Sequence, residues 1–187
     1  FNRGRNLDKM GLHSGDTSEL FFDDLIVTTA DILGGEGQGF VNMMKELPRE
    51  RLILGVGCVG AAQGAFDLTV AYITERQAFG QAVSGFQNSR YKLAEMKTDI
   101  ELCRAMAEKY TAQFIAGELT SAEASMLKLA ASEMQGRVAD QCVQLFGGYG
   151  YMTEYPISRA YLDARIQRIY GGTSEIMKEL ISRSIVS

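Results

Sequence analysis

The sequence predicts a mainly α protein, an up-down four-helix bundle preceded by a short remnant of a β domain. Three observations carry this expectation. Leu93, Met96, Ile100, Cys103, Ala107, Tyr110 and Phe114 recur at alternating spacings of three and four, the unbroken apolar seam of a helix. From Gly37 onward the chain holds only two prolines, Pro48 and Pro156. Helix start and stop signals then divide this region into long amphipathic stretches with short connections, which make antiparallel neighbours.

Before Gly34 the text is polar and turn-rich, with strand-like stretches at Glu19–Phe22 and Leu25–Val27 separated by Asp23-Asp24. So little sheet leaves open edges, so residues 1–34 read as the end of a β domain whose earlier strands lie elsewhere. Residues 35–187 read as the helical domain. Its first long helix is expected from Pro48, suited to the N1 position, to about Arg76. Gly55, Gly57, Gly60 and Gly64 on it imply close approach by another backbone or a flat ligand. The Leu93–Phe114 seam marks a second helix, which stops at Gly117 as C′ residue. Thr120-Ser121-Ala122-Glu123 forms a capping box for a third, which carries Met126, Ala130, Met134, Val138, Cys142 and Leu145 up to Gly147-Gly148. A further helical stretch from Pro156 to Tyr170 breaks at Gly171-Gly172, and Thr173 caps a last helix through Ile185.

Composition removes whole classes of chemistry. With 187 residues, 46% hydrophobic and 22% charged, the chain can bury a substantial core and is neither a disordered tail nor a fibrous repeat. The balance of 19 Lys plus Arg against 23 Asp plus Glu leaves a net charge of -4, so no overall basic field exists to grip nucleic acid. His13 is the only histidine and lies in a polar stretch, which argues against a Ser-His-Asp triad and a multi-histidine metal site. Cys58, Cys103 and Cys142 contain no C-x-x-C pair and are odd in number, so they read as buried thiols in a reducing compartment. The longest uncharged run, Leu52 to Phe66, is too short and glycine-rich for a membrane span. The chain opens on Phe1 with no basic or apolar leader and reads as a piece of a longer protein.

Four clusters lie outside the apolar seams: Glu46-Leu47-Pro48-Arg49-Glu50-Arg51-Leu52; Glu75-Arg76-Gln77-Ala78-Phe79-Gly80 with Phe86-Gln87; Gln144-Leu145-Phe146-Gly147-Gly148-Tyr149-Gly150-Tyr151; and Ile169-Tyr170-Gly171-Gly172-Thr173-Ser174-Glu175-Ile176. The Gly171-Gly172-Thr173 turn opens a helix, where free backbone N–H groups favour an anionic or electron-rich ligand, although a hinge with an ordinary N-cap would look the same. In this order and spacing the clusters closely resemble the C-terminal half of the acyl-CoA dehydrogenases, over essentially the whole chain. The resemblance implies FAD contacts for Gln144, Gly147, Gly148, Thr173, Ser174 and Glu175. It also implies that Arg76, with Phe79 and Gln87, reaches the flavin of a neighbouring subunit, hence an oligomer, a homotetramer built as a dimer of dimers.

Members of this family remove the substrate α-proton with a glutamate while the flavin accepts the β-hydride. In many of them that glutamate directly precedes the glycine and threonine of the last cluster, and here Gly171 stands there. The long-chain and isovaleryl types carry the base on the first long helix, immediately before an arginine, and Glu50-Arg51 matches that placement. The resemblance therefore implies Glu50 as base, with Glu46 the alternative carboxylate if the helix continues through Pro48. Burial among apolar atoms is expected to raise the Glu50 pKa. The backbone N–H of Gly171 would polarise the thioester carbonyl, with Gly172 beside it. Arg51 would sit close to substrate or else pair with a neighbouring carboxylate.

The expectation is thus a long-chain acyl-CoA dehydrogenase that passes electrons to an electron-transferring flavoprotein in a bacterial cytoplasm or mitochondrial matrix. Isovaleryl or other short branched-chain enzymes share the base placement. A related flavin monooxygenase and a bundle kept only for assembly are the rivals of other classes.

Overall fold

The computed structural model describes residues 1–186. Strand β1 (Asn2–Asn6) pairs antiparallel with β2 (Ser18–Phe21), with Asn2 opposite Phe21 and Asn6 opposite Ser18. Sequence reading finds β2 one residue late and misses β1, whose Asn-Arg-Gly-Arg-Asn run has no apolar alternation to betray it. Leu25–Val27, expected as a strand, is irregular; Asp24 just before it has a φ of 48°, which turns the chain out of the sheet. Lys9 to Leu12 instead lie against the helical region, where the Leu12 N–H donates to Asp163 Oδ1 at 2.6 Å.

Five helices follow: α1 (Gly39–Glu75), α2 (Gln87–Ala116), α3 (Ser121–Phe146), α4 (Pro156–Ala164) and α5 (Ser174–Val186). A two-residue hairpin, β3 (Gln77–Ala78) with β4 (Gln81–Ala82), joins α1 to α2. Helix α1 does not begin at Pro48; it starts at Gly39 and runs through the proline. Pro48 deprives the Met44 carbonyl of its helical donor, and Met44 is exposed, so water can take that acceptor. Glu46, Glu50 and Leu54 therefore fall four apart along one continuous helical face.

The stop and start signals between α2 and α3 behave as chemistry dictates. Gly117 adopts φ 75° and its N–H returns to the end of α2. Thr120 Oγ1 accepts from the Glu123 N–H at 3.2 Å while the Glu123 carboxylate accepts from the Thr120 N–H at 3.0 Å. These carbonyl and amide groups turn the chain back within a few residues. Contacts of Arg51 with Ser121, Gly55 with Leu127 and Tyr72 with Phe146 show that α1 and α3 run parallel, in register over most of their length. Helix α2 runs antiparallel to α3, with Asp99 beside Arg137 and Gln113 beside Glu123.

Helix α3 is the centre, packed against α1, α2, α4 and α5. Leu127, Ala131, Met134, Val138 and Cys142 on it meet Cys58, Ala62 and Ala65 of α1 and Met96, Ile100 and Cys103 of α2 in one buried core. All three cysteines are buried and free. Helix α1 is long and apolar enough to cross a membrane by length and composition, but its Leu52, Cys58, Val59, Ala62 and Ala65 side forms this core. Of the four glycines expected to admit a neighbour, only Gly55 does so here: a Cβ on it would stand 2.6 Å from Leu127 Cγ, whereas Gly57, Gly60 and Gly64 face nothing within 4 Å.

Candidate active site and cofactor surface

The chain places its candidate residues in two groups, one about a third of the way along α1 and one at its C-terminal end. At about 1.5 Å rise per residue, Arg51 and Arg76 are about 37 Å apart along that helix. The first group is built where α1, α3 and the turn before α5 meet. Arg51 is 5% exposed, and its Nε donates to the Gly171 carbonyl at 3.3 Å and its Nη1 to Ser121 Oγ at 3.4 Å. Burial pushes its pKa down, partly opposed by the Glu50 charge beside it. The guanidinium thus spends its donors on the turn and on α3, and it makes no carboxylate ion pair among the described residues.

Lys128, one position after core residue Leu127, is 0% exposed, and its Nζ donates to the Gly172 carbonyl at 2.6 Å. Desolvation lowers its pKa and nearby Arg51 adds to the effect, while Cys58, Glu133 and Glu175 oppose it. The turn is fastened a third time by Glu133 of α3. Its carboxylate accepts from Arg168 Nη1 at 3.2 Å on one side and from the Ser174 hydroxyl at 2.8 Å on the other. Sequence reasoning missed Lys128 and Glu133. Lys128 lies in phase with Ala124, Ala131, Gln135 and Val138, all buried, so a lysine on the core stripe of α3 was the available signal.

On this scaffold Gly171 has φ 66° and Gly172 φ 106°, and a Cβ on Gly171 would stand 3.4 Å from Leu54 Cδ1. Leu54 lies one turn beyond Glu50 on the same face, so the structure brings Glu50 and the Gly171 position to neighbouring parts of one surface. Glu50 itself is exposed, which corrects the expectation of burial. Glu46 is also exposed and pairs with Arg49 at 2.8 Å. Thr173 Oγ1 accepts from the Ile176 N–H at 3.3 Å, the N-cap expected of it. Ser174 is buried with its hydroxyl held by Glu133, leaving no free side-chain donor for a ligand. The Glu175 carboxylate is exposed, and hydrogen bonds from its own N–H and from Thr173 lower its pKa.

The second group surrounds the end of α1. Tyr72 stacks on Phe146 with centroids 4.0 Å apart, and Tyr155 meets both edge-on. This aromatic base supports a cleft of about 510 Å³ lined by Arg76, Gln144, Gly147, Gly148 and Tyr149 among others. The Arg76 guanidinium lies 5.5 Å from the Tyr149 ring centroid. Gly147 and Gly148 have no neighbouring atom within 4 Å of a would-be Cβ, so a flat group can approach their backbone. Phe79 is 97% exposed at the β3–β4 tip with φ 50°, and Gln87 opens α2 with its amide donating to the Tyr91 hydroxyl. Thr173, Ser174 and Glu175 do not join this group. Among the described residues no cluster of His, Cys, Asp and Glu is arranged to hold a metal ion.

The family model described as the C-terminal domain of acyl-CoA dehydrogenase matches residues 37–186. The long-chain specific acyl-CoA dehydrogenase of Rattus norvegicus mitochondria is 50% identical over 187 residues, 100% of this chain and 44% of that protein. The mitochondrial isovaleryl-CoA dehydrogenase of Oryza sativa is 36% identical over 185 residues, 99% of this chain and 45% of that protein. Among solved structures, an acyl-CoA dehydrogenase from Geobacillus kaustophilus superimposes with a TM-score of 0.96 at 45% identity, covering 98% of this chain and 48% of its own. The chain spans about half the length of the curated relatives it matches.

Proposed function

Because the chain belongs to the acyl-CoA dehydrogenase family through its C-terminal helical domain, we propose that it is part of an FAD-dependent enzyme that introduces an α,β double bond into a long-chain acyl-CoA, with Glu50 as the catalytic base. One observation supports the assignment of the base above others. Leu54, four residues after Glu50, fills the space beside Gly171, and Arg51, directly after Glu50, donates to the Gly171 carbonyl. A glycine where many relatives carry the base thus lies beside a surface that presents a carboxylate.

The residues present suit a flavin dinucleotide. The cleft at the end of α1 combines an arginine, an exposed glutamine and two unobstructed glycines, donors and space for a phosphate-bearing, flat ligand. Arg76, Gln144, Gly147 and Gly148 would hold it from there, and Thr173 and Glu175 from the α5 end. Because Arg51 and Arg76 are about 37 Å apart along α1 by helical rise, the flavin beside one chain's Glu50 would take its Arg76 contact from a second chain. This favours an assembly of at least two subunits and accords with a dimer of dimers.

In the reaction, the α C–H bond breaks heterolytically and its proton passes to a Glu50 carboxylate oxygen, while the electron pair forms the new α,β double bond. When bound, the flavin supplies the two-electron acceptor that takes the β-hydrogen as hydride. The Gly171 N–H, at the turn fixed by Arg51 and Lys128, stabilises the charge that develops on the thioester carbonyl. The buried Arg51 holds this turn against α1, so the carboxylate and the donor share one frame.

The 50% identity to a long-chain enzyme, against 36% to an isovaleryl enzyme, favours long acyl chains. A structural neighbour of this chain described as an electron-transferring flavoprotein of Acidaminococcus fermentans favours such a flavoprotein as electron acceptor. Relatives from mitochondria and from bacteria favour a setting in the matrix or a bacterial cytoplasm. The test is kcat/KM of the full-length enzyme across a series of straight and branched acyl-CoAs. Long straight chains should lead by at least about tenfold, since each added methylene in an apolar channel is worth roughly 0.8 kcal/mol. A maximum at short or branched chains contradicts the assignment.

A further inference from the structure

In a trans peptide the carbonyl of one residue and the N–H of the next point to opposite sides of the plane, and no peptide bond among the described residues is cis. A donor that grips a carbonyl therefore aims the following N–H the other way. Arg51 grips the Gly171 carbonyl and so aims the Gly172 N–H; Lys128 grips the Gly172 carbonyl and so aims the Thr173 N–H. Both grips come from the bundle side, one from α1 and one from α3. Among the described residues, neither N–H donates to a backbone carbonyl. The two glycines, with φ 66° and 106°, give the turn little stiffness of its own. A lysine 0% exposed among core residues is expensive to bury, and its one hydrogen bond of 2.6 Å goes to this turn.

We propose that Lys128 is a positioning residue that acts through the Gly172 carbonyl to aim the Thr173 N–H, beside that of Gly172, at an acceptor oxygen of the bound flavin or of the acyl thioester. The inference rests on the dehydrogenase reading and adds to it a residue that touches neither ligand.

The test is amide hydrogen exchange at Gly172 and Thr173 in the full-length protein, first without flavin, then with FAD, then with FAD and an unreactive acyl-CoA thioether. Slowing by at least about tenfold is expected at Thr173 in one of these steps. Slowing on FAD assigns a flavin oxygen, and slowing only on the thioether assigns the acyl end; no slowing in either overturns the proposal. This measurement needs no variant, so it decides the matter even if substitutions at Lys128 prevent folding. In folded Lys128→Met the protection should be lost, and flavin reduction should slow by roughly 10- to 100-fold with KM changed by less than about threefold. Lys128→Arg, which keeps a cationic donor, should recover most of the rate. Protection that persists in Lys128→Met reduces the lysine to a core-filling role and overturns the proposal. A parent that no acyl-CoA reduces, yet whose Thr173 N–H is protected by FAD, would instead sink the dehydrogenase reading and leave the positioning role standing.

Discussion

Gly150 follows the end of α3 inside a 3-10 turn, and a Cβ on it would stand 2.6 Å from the Val143 carbonyl oxygen and 2.8 Å from Phe146 Cβ. Backbone cannot move aside as a side-chain tip can, so Gly150→Ala should destabilise the protein by about 1–3 kcal/mol in denaturant titration. A loss below about 0.5 kcal/mol would mean that the turn relaxes freely. Arg51 was legible as a candidate because it follows Glu50, but its bond to the Gly171 carbonyl joins residues 120 positions apart in the chain. Lys128 reads in the sequence as one of many lysines, and only the phase of its burial on α3 distinguishes it.

Helices were legible wherever local chemistry alone decides them. The Leu93–Phe114 seam, the Gly117 stop, the Thr120 box and the Thr173 cap all stand where periodicity and hydrogen-bond need put them. The start of α1 was not legible, because Pro48 has the signature of a helix beginning and only solvent access at Met44 makes an interior proline tolerable. The exposure of Glu50 was not legible either, since it depends on which elements pack against that part of α1, and no local pattern sets that. The Thr120 box makes a prediction at this scale. Hydrogen bonds from the Thr120 N–H and hydroxyl and from Gln113 lower the Glu123 pKa below its ordinary value. An acid with a depressed folded pKa contributes stability that is present above the unfolded value, near 4.5, and is lost as pH falls through the folded value. Glu123→Gln should therefore cost roughly 0.5 kcal/mol at pH 7, the lower end of capping losses because the carboxylate is solvent-screened, and the gap to the parent should narrow steadily below pH 4.5 in thermal melts. A gap unchanged at low pH would deny the carboxylate that role.

For the whole molecule, the separation of Arg76 from Glu50 along α1 is the decisive feature. If each flavin is held by both chains of a pair, two damaged chains can repair one another. On the proposed mechanism, Glu50→Gln would lack the base and Arg76→Ala would weaken the flavin contact that its partner needs. In a mixed pair, one site receives intact Glu50 from one chain and intact Arg76 from the other. Co-expressed full-length variants should regain up to about half the parent activity per assembly, against little for either alone, an effect of shared composite sites. Mixed assemblies no more active than the better single variant would place Arg76 and Glu50 at unrelated sites.

On the proposed mechanism Glu50 takes the α-proton. Mixing the full-length holoenzyme anaerobically with a long-chain acyl-CoA and following flavin absorbance tests it most directly, alongside Glu50→Gln. The parent should bleach, and the variant, with flavin content and melting temperature unchanged, should bleach at least about 100-fold more slowly for want of its general base. Equal bleaching in both would move the base elsewhere, with Glu46 on the same helical face the next carboxylate to replace.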